Sequence, residues 1–172
     1  MDFKVSEIIN HPLEQVFAVY RDEMVSLVPY MPNVDGIEVV ERQDMDGEVK
    51  LVNRWKVSGS IPRAVRPFFS DDMLSYLDHA HWLEAARTVS WFFELNALGD
   101  AVDCRGINYF KPGPNPGTTE LILTGALKVD LGKVRGVPRL LRGLAPRVES
   151  FVLERVKPNL SGVASAVERY LN

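Results

Sequence analysis

The chain has 172 residues, of which 46% are hydrophobic and 25% are charged, and its net charge is −3. This length is sufficient for one domain with a hydrophobic core, and the mildly acidic balance argues against a nucleic-acid-binding protein. The single cysteine, Cys104, excludes an internal disulfide and a metal site built from cysteines, and it fits a reducing cytoplasm. No stretch resembles a signal peptide or a membrane-spanning segment, so we expect any contact with a membrane to be peripheral.

The predicted elements begin with a strand and a short helical region. Residues 3–9 alternate in character as a strand does. Pro12 suits a first helical turn, and the apolar residues from Leu13 to Tyr20 recur at helical spacing. Pro29 and Pro32 end this region, so the sequence predicts short helices directly after the first strand.

Six further strands and a long helix follow. Residues 36–57 form two strands around Asp46–Gly47, a strong hairpin signal. The remaining strands are predicted at residues 73–82, 86–95, 102–111 and 118–130. From about Pro138 to Leu171 the pattern is helical, and we expect Pro158 to kink this helix or break it locally.

This order of elements predicts an α+β fold in a single domain, residues 1–172. A curved antiparallel sheet of about seven strands would wrap around the long C-terminal helix and leave space for a ligand between them. Alternation along the third strand predicts an inward face of Val49, Leu51, Asn53, Trp55 and Val57. Arg54 and Lys56 should then face solvent.

Two stretches of the sequence carry a resemblance to a known family. Met31–Phe69 includes the Asp46–Gly47 turn and a G-x-I-P step at Gly59–Pro62, and Asn108–Gly125 contains two later strands. The element order resembles the helix-grip fold of the START and polyketide-cyclase superfamily, and the motifs look most like those of the PRELI lipid-transfer proteins. The resemblance implies a phospholipid or similar amphiphile in the cavity, with exchange at a membrane. Asn53 stands where PRELI proteins often carry an arginine that reaches a phosphate.

The candidate ligand-binding residues are mostly apolar and lie at inward strand or helix positions. They are Leu51, Asn53, Trp55, Trp91, Phe93, Asn108, Leu123 and Phe151. Because apolar pockets and hydrophobic cores share a composition, the alternative for the aromatic members is plain core packing.

Residues 60–69 interrupt the run of strands and predict a lid over the cavity mouth. The lid residues would be Pro62, Val65, Arg66, Phe68 and Phe69, which combine apolar and basic character. The alternative is a connection whose phenylalanines pack on the sheet.

Residues 131–148 contain five basic side chains, no acidic one and several leucines and valines between them. Such a segment can lie on an anionic membrane, with leucines buried and arginines at the phosphates. The predicted membrane contacts are Arg139, Leu140, Leu141 and Arg142. The alternative is an ordinary helix start whose leucines pack on the sheet.

No metal, cofactor or catalytic motif emerges from the sequence. His79 and His81 share one face of a strand, but zinc needs a third ligand, so we expect no metal. Nucleophile, phosphate and dinucleotide motifs are absent, and no acid/base pair is recognisable. Asn108 and Tyr109 are the type of polar residues that cyclase relatives use in their cavities, although Tyr109 is expected to pack and Asn108 to form a hydrogen bond.

These features favour binding, with transfer between membranes, of a hydrophobic or amphiphilic small molecule such as a phospholipid or fatty acid. The alternative is an aromatase/cyclase-type enzyme that acts on a polyketide-like substrate in the same cavity. A third hypothesis is a protein that binds a lipid-like signal without transferring it.

Overall fold

The computed structural model describes residues 1–58, 75–95, 99–133 and 139–172 and shows one sheet and two α-helices in them. The strands are β1 (Asp2–Ile9), β2 (Val34–Met45), β3 (Glu48–Val57), β4 (Ser75–Leu83), β5 (Thr88–Glu94), β6 (Val102–Pro112) and β7 (Thr119–Val129). The helices are α1 (Leu13–Asp22) and α2 (Ala145–Leu171). Short 3-10 turns occur at Val28–Tyr30, Gly99–Ala101, Leu131–Lys133 and Arg139–Leu144.

The seven strands form one antiparallel sheet in the order β1-β7-β6-β5-β4-β3-β2. Each predicted strand overlaps an observed one, so the α+β prediction is confirmed. The β2–β3 hairpin turns at Asp46–Gly47, where Gly47 has a φ of 71° that suits glycine. Because β1 and β2 are the two edges, the sheet stays open and its inner face can take a helix.

The inner face of the sheet follows the predicted alternation along β3. Val49, Leu51, Asn53, Trp55 and Val57 are all buried. Arg54 and Lys56 are exposed, and Arg54 forms an ion pair with Glu38 at 2.6 Å. The side of β3 that carries these buried residues therefore faces the core.

Helix α2 covers this inner face with buried side chains that include Val148, Leu153, Leu160, Val163 and Val167. The helix continues through Pro158, so of the two predicted outcomes the local break is wrong and the kink stays a prediction. Pro158 is itself exposed, and it lies between the buried Leu153 and Leu160. Packing on both sides of the proline holds the helix together despite the lost backbone hydrogen bond.

Aromatic packing holds α1 against strands β4 and β6. Phe17 makes edge-on contacts with Trp82 and Phe110, with ring centroids 5.2 and 5.1 Å apart. Arg21 also pairs with Glu84 at 2.7 Å, beyond the end of β4. Because a single partly exposed ion pair contributes little, the buried rings are the main anchor. This packing presents Tyr20, one helical turn later, to the inner face.

Candidate functional site

A cavity of about 40 Å³ lies between the inner face of the sheet and the two helices. Strands β3, β4, β5 and β6 form its floor, Tyr20 and Arg21 reach it from α1, and Asn159, Leu160 and Val163 reach it from α2. The volume is space for about one to three water molecules. A ligand larger than that requires the surrounding side chains to move.

The structure brings together six of the eight ligand-binding residues predicted from sequence. The walls of the cavity include Leu51, Asn53, Trp55, Trp91, Phe93 and Asn108. Leu123 is not among the lining residues; it is fully buried in the core and lies opposite Asn108 in the register of β6 and β7. The side chain of Phe151 lies outside the described part of the structure.

The strand register places an acidic residue at the centre of the floor. Asp78 on β4 lies opposite Asn53 on β3 and opposite Phe93 on β5. Residues directly opposite on one face of an antiparallel pair have Cβ atoms about 4.5–5.5 Å apart. Asp78 therefore has an amide on one side and an aromatic ring on the other.

Four polar atoms around this cavity are enclosed and have no partner at hydrogen-bond geometry among the described residues, although the indole N–H of Trp55 faces the Asp78 carboxyl group. They are Asn53 Oδ1, Asp78 Oδ1, Trp55 Nε1 and Trp82 Nε1. An unpaired buried polar group lowers the stability of the folded state by about 1–3 kcal/mol. A ligand that forms a hydrogen bond with one of these atoms removes this penalty, which favours binding. The third cavity indole is already paired, because Trp91 Nε1 donates to Asn108 Oδ1 at 2.8 Å.

Burial changes the protonation of the cavity side chains. It raises the pKa of Asp78 to about 7, although the indole N–H of Trp55 faces the carboxyl group and opposes this rise. The pKa values of Tyr20 and Tyr76 also lie above the ordinary range, first because of burial and then because of the nearby Asp78 charge. Burial likewise raises the pKa of Cys104 to about 12, so its thiol stays protonated at neutral pH.

Sequence reasoning missed Asp78, Tyr76 and Tyr20. Alternation along β4 could have identified Asp78 and Tyr76. Both share a strand face with Ala80 and Trp82, which are apolar and should point inward. Tyr20 could be assigned to the α1 core stripe, but its place above the sheet depends on tertiary packing.

The two strand histidines lie on the outer face and outside the cavity. His79 Nε2 contacts Glu94 at 2.9 Å, and His81 Nε2 contacts Glu48 at 2.7 Å. Within the described ranges, no group of three histidine, cysteine or acidic side chains could hold a metal ion. A solvent-open groove of about 730 Å³ also lies on this outer face. Its histidines are already paired, and none of the enclosed, unpartnered side-chain atoms in the described residues belongs to it.

The predicted membrane-contact segment lies next to the start of α2. Arg139 and Arg142 are exposed in the 3-10 turn, whereas the side chains of Leu140 and Leu141 are outside the described set. The predicted lid residues Pro62, Val65, Arg66, Phe68 and Phe69 are outside it as well. Among the described helices, none has the length and apolar character needed to cross a membrane.

Solved structures share this architecture over nearly the whole chain. TTHA0849 from Thermus thermophilus is 20% identical, with a TM-score of 0.67 and a match that covers 100% of both chains. Zhui aromatase/cyclase from Streptomyces sp. R1128 is 15% identical, with a TM-score of 0.67 over 100% of this chain and 96% of its own. Ara h 8.0201 is 14% identical, with a TM-score of 0.62 over 99% of this chain and 96% of its own.

These comparisons establish architecture and leave activity open. No family model and no curated protein matches the sequence. The similarity to PRELI proteins therefore stays a prediction from sequence motifs. Identities of 20% or less carry the fold alone. The chain has the helix-grip fold of these structures: a seven-stranded curved antiparallel sheet with a C-terminal helix.

Proposed function

We propose that the protein binds a small hydrophobic or amphiphilic molecule in the cavity between the sheet and α2. The observation that carries the proposal is the set of four enclosed, unpartnered polar atoms on Asn53, Asp78, Trp55 and Trp82. Apolar walls with a few convergent polar groups are typical of small-molecule sites. Pockets for drug-sized ligands measure about 300–1,000 Å³. A cavity of about 40 Å³ therefore favours a compact ligand.

Filling the cavity tests this proposal. Ala80 is buried at the cavity floor, and Ala80→Leu adds three carbon atoms there. We expect the purified wild-type protein to carry or accept a small molecule, detected by native mass spectrometry with extraction of the bound species. Ala80→Leu should weaken this binding at least tenfold because the added side chain occupies the site.

The matched control is Ser90→Leu, an addition at an exposed position of the outer face of β5. It should leave ligand binding unchanged. The proposal fails if the wild type carries no small molecule and shows no saturable binding to short-chain fatty acids or compact aromatic amphiphiles.

Transfer of a lipid between membranes is the extension of this proposal that the PRELI-like motifs and the basic segment motivate. A phospholipid would need a larger cavity than the present one, so transfer requires the side chains around Leu160, or α2 itself, to move. Docking through Arg139 and Arg142 would provide the membrane contact, since each basic residue near an anionic surface contributes about 1 kcal/mol.

Charge reversal tests the docking step. Arg139→Glu with Arg142→Glu should reduce sedimentation with anionic vesicles at least tenfold, and raised salt should weaken the wild-type interaction. The control pair, Lys4→Glu with Lys111→Glu, makes the same change in net charge at exposed positions of the sheet. Equal sedimentation of the two double variants would contradict docking by this segment.

An aromatase/cyclase-type enzyme is the second candidate function, and Asp78 favours it. A carboxyl group whose pKa is about 7 can both accept and donate a proton near neutral pH. Tyr20 and Tyr76, which stay protonated, could donate a hydrogen bond to a substrate carbonyl. Ring closure of a poly-β-keto thioester should require the Asp78 carboxyl group under this alternative, whereas ligand binding alone would give no product.

A further inference from the structure

We propose that the cavity is selective for a small organic cation, a short alkyl ammonium held by Asp78 and Asn53 beside a row of aromatic rings. The inference rests on the proposed function and names the class of ligand that the site takes.

The aromatic row surrounds Asp78 on the floor of the cavity. Trp55 stacks on Tyr76 with ring centroids 6.0 Å apart and an interplanar angle of 8°. Tyr76 in turn contacts Phe93 at 4.7 Å, and Phe93 stacks on Trp91 at 4.7 Å. The faces of such rings attract a cation within about 6 Å, and tryptophan does so best. An apolar ligand would also pack favourably against these rings, so the rings alone do not select a cation. The preference for a positive charge comes from the Asp78 carboxyl group.

Two hydrogen-bond acceptors lie side by side within this row. Asn53 Oδ1 and Asp78 Oδ1 are both enclosed and unpartnered among the described residues. Their residues lie directly opposite each other on β3 and β4, so a single nitrogen can contact both side chains. An ammonium group offers three N–H donors, whereas a carbonyl or ether ligand offers none. The adjacent acceptors therefore favour an ammonium group at Asp78 and Asn53, while the unpartnered indole N–H groups of Trp55 and Trp82 could donate to an acceptor elsewhere on the same ligand.

No described positive charge in the cavity is available to neutralise Asp78. Arg21 reaches the cavity from α1, but it is already paired with Asp22 at 2.8 Å and with Glu84 at 2.7 Å. The titratable groups that face Asp78 are Tyr20 from α1, Tyr76 on the same strand and Cys104 on β6, all with raised pKa values. Helix α2 contributes the uncharged Asn159, Leu160 and Val163. A bound cation would be the direct partner of the ionised carboxylate.

Binding of a cation should be linked to the ionisation of Asp78. Its pKa of about 7 means that the empty site is largely protonated in mildly acidic solution. An ammonium ligand stabilises the ionised form, so the protein releases a proton on binding and affinity rises with pH. A neutral ligand that accepts a hydrogen bond from the protonated acid would show the opposite trend.

The experiment compares propylammonium with propanol, a neutral molecule of similar size. The three tryptophan indole N–H groups give separate NMR signals that report on the cavity. Propylammonium should shift the Trp55 and Trp82 signals saturably, with a Kd at least tenfold lower than that of propanol. The affinity should fall at least tenfold between about pH 8 and about pH 5.5, since an alkyl amine stays protonated throughout this range, as lysine does.

Two variants separate the site from the rest of the protein. Asp78→Asn should lose both the preference for propylammonium and its pH dependence. Glu94→Gln, which removes a carboxylate from the exposed outer end of β5, should keep both. Equal or tighter binding of propanol to the wild type would overturn the cation inference and leave ligand binding in the cavity intact. Absence of indole shifts with either probe would overturn the cation inference, and the cavity-filling test on Ala80 would then decide ligand binding separately.

Discussion

Asp78→Asn stabilises the protein at neutral and alkaline pH. In the wild type, burial raises the pKa of Asp78 from 3.8 to about 7. Between these two values the folded state binds more protons than the unfolded state, so the free energy of unfolding falls as pH rises through this window. The loss is complete above about pH 7 and amounts to at most about 4 kcal/mol. An uncharged asparagine removes this loss.

Thermal unfolding of both proteins across the window measures the effect. Each kcal/mol shifts the unfolding midpoint of a protein of this size by about 2–4 °C, so the variant should unfold up to about 8–16 °C higher than the wild type near pH 8. Near pH 4 the difference should largely disappear, because Asp78 is then neutral in the folded state and only about half ionised in the unfolded state, whose pKa is 3.8. Asp103→Asn is the control, since Asp103 is exposed and paired with Arg105 at the surface. If the unfolding midpoints of Asp78→Asn and the wild type depended on pH in the same way, ionisation of Asp78 would not lower the free energy of unfolding.

A stabilising substitution at a cavity residue would also bear on function. Side chains that a fold keeps at a cost to its stability are concentrated at binding and catalytic sites. The same variant should lose ammonium selectivity, and under the enzyme alternative it should lose ring closure as well. If Asp78→Asn is more stable than the wild type and no longer binds the ligand, the protein keeps a destabilising buried carboxyl group because ligand binding requires it.

The fold could be predicted because its signals are local. Period-two alternation along β3 identified both faces of that strand, and Asp46–Gly47 fixed the hairpin through a backbone conformation that glycine adopts easily. Helix α2 was visible from its apolar spacing, but its continuity through Pro158 was not. That continuity depends on packing of Leu153 and Leu160 against other elements.

The candidate site was only partly visible in the sequence for a physical reason. Aromatic and apolar lining residues share the pattern of an ordinary core, so the sequence could predict Trp55, Trp91 and Phe93 as cavity residues only with plain core packing as an open alternative. Asp78 was missed because aspartate is rarely buried without a partner. Its role depends on neighbours from β3, β5 and α1, and no local pattern reports them.

Gly106→Ala should destabilise the protein strongly because Trp91 occupies the space that a side chain would need. A Cβ atom at Gly106 would lie 2.0 Å from the backbone oxygen of Thr124 and 2.4 Å from Cζ2 of Trp91. Gly106 lies opposite Trp91 in the register of β5 and β6, so the indole ring packs over bare backbone. The β-ladder limits movement of the Thr124 carbonyl. We expect a loss of about 3 kcal/mol, the upper part of the range for overpacked cores.

The control for this prediction is Gly36→Ala in β2, where an added Cβ would meet nothing within 4 Å. Its stability should stay within about 0.5 kcal/mol of the wild type. Chemical denaturation of the two variants measures the contrast, and the indole signal of Trp91 gives a second readout because its N–H donates to Asn108. In Gly106→Ala this signal should move as the ring is displaced and the hydrogen bond lengthens. Equal stability of the two alanine variants, with the Trp91 signal unchanged, would mean that the ring does not pack over Gly106 in solution.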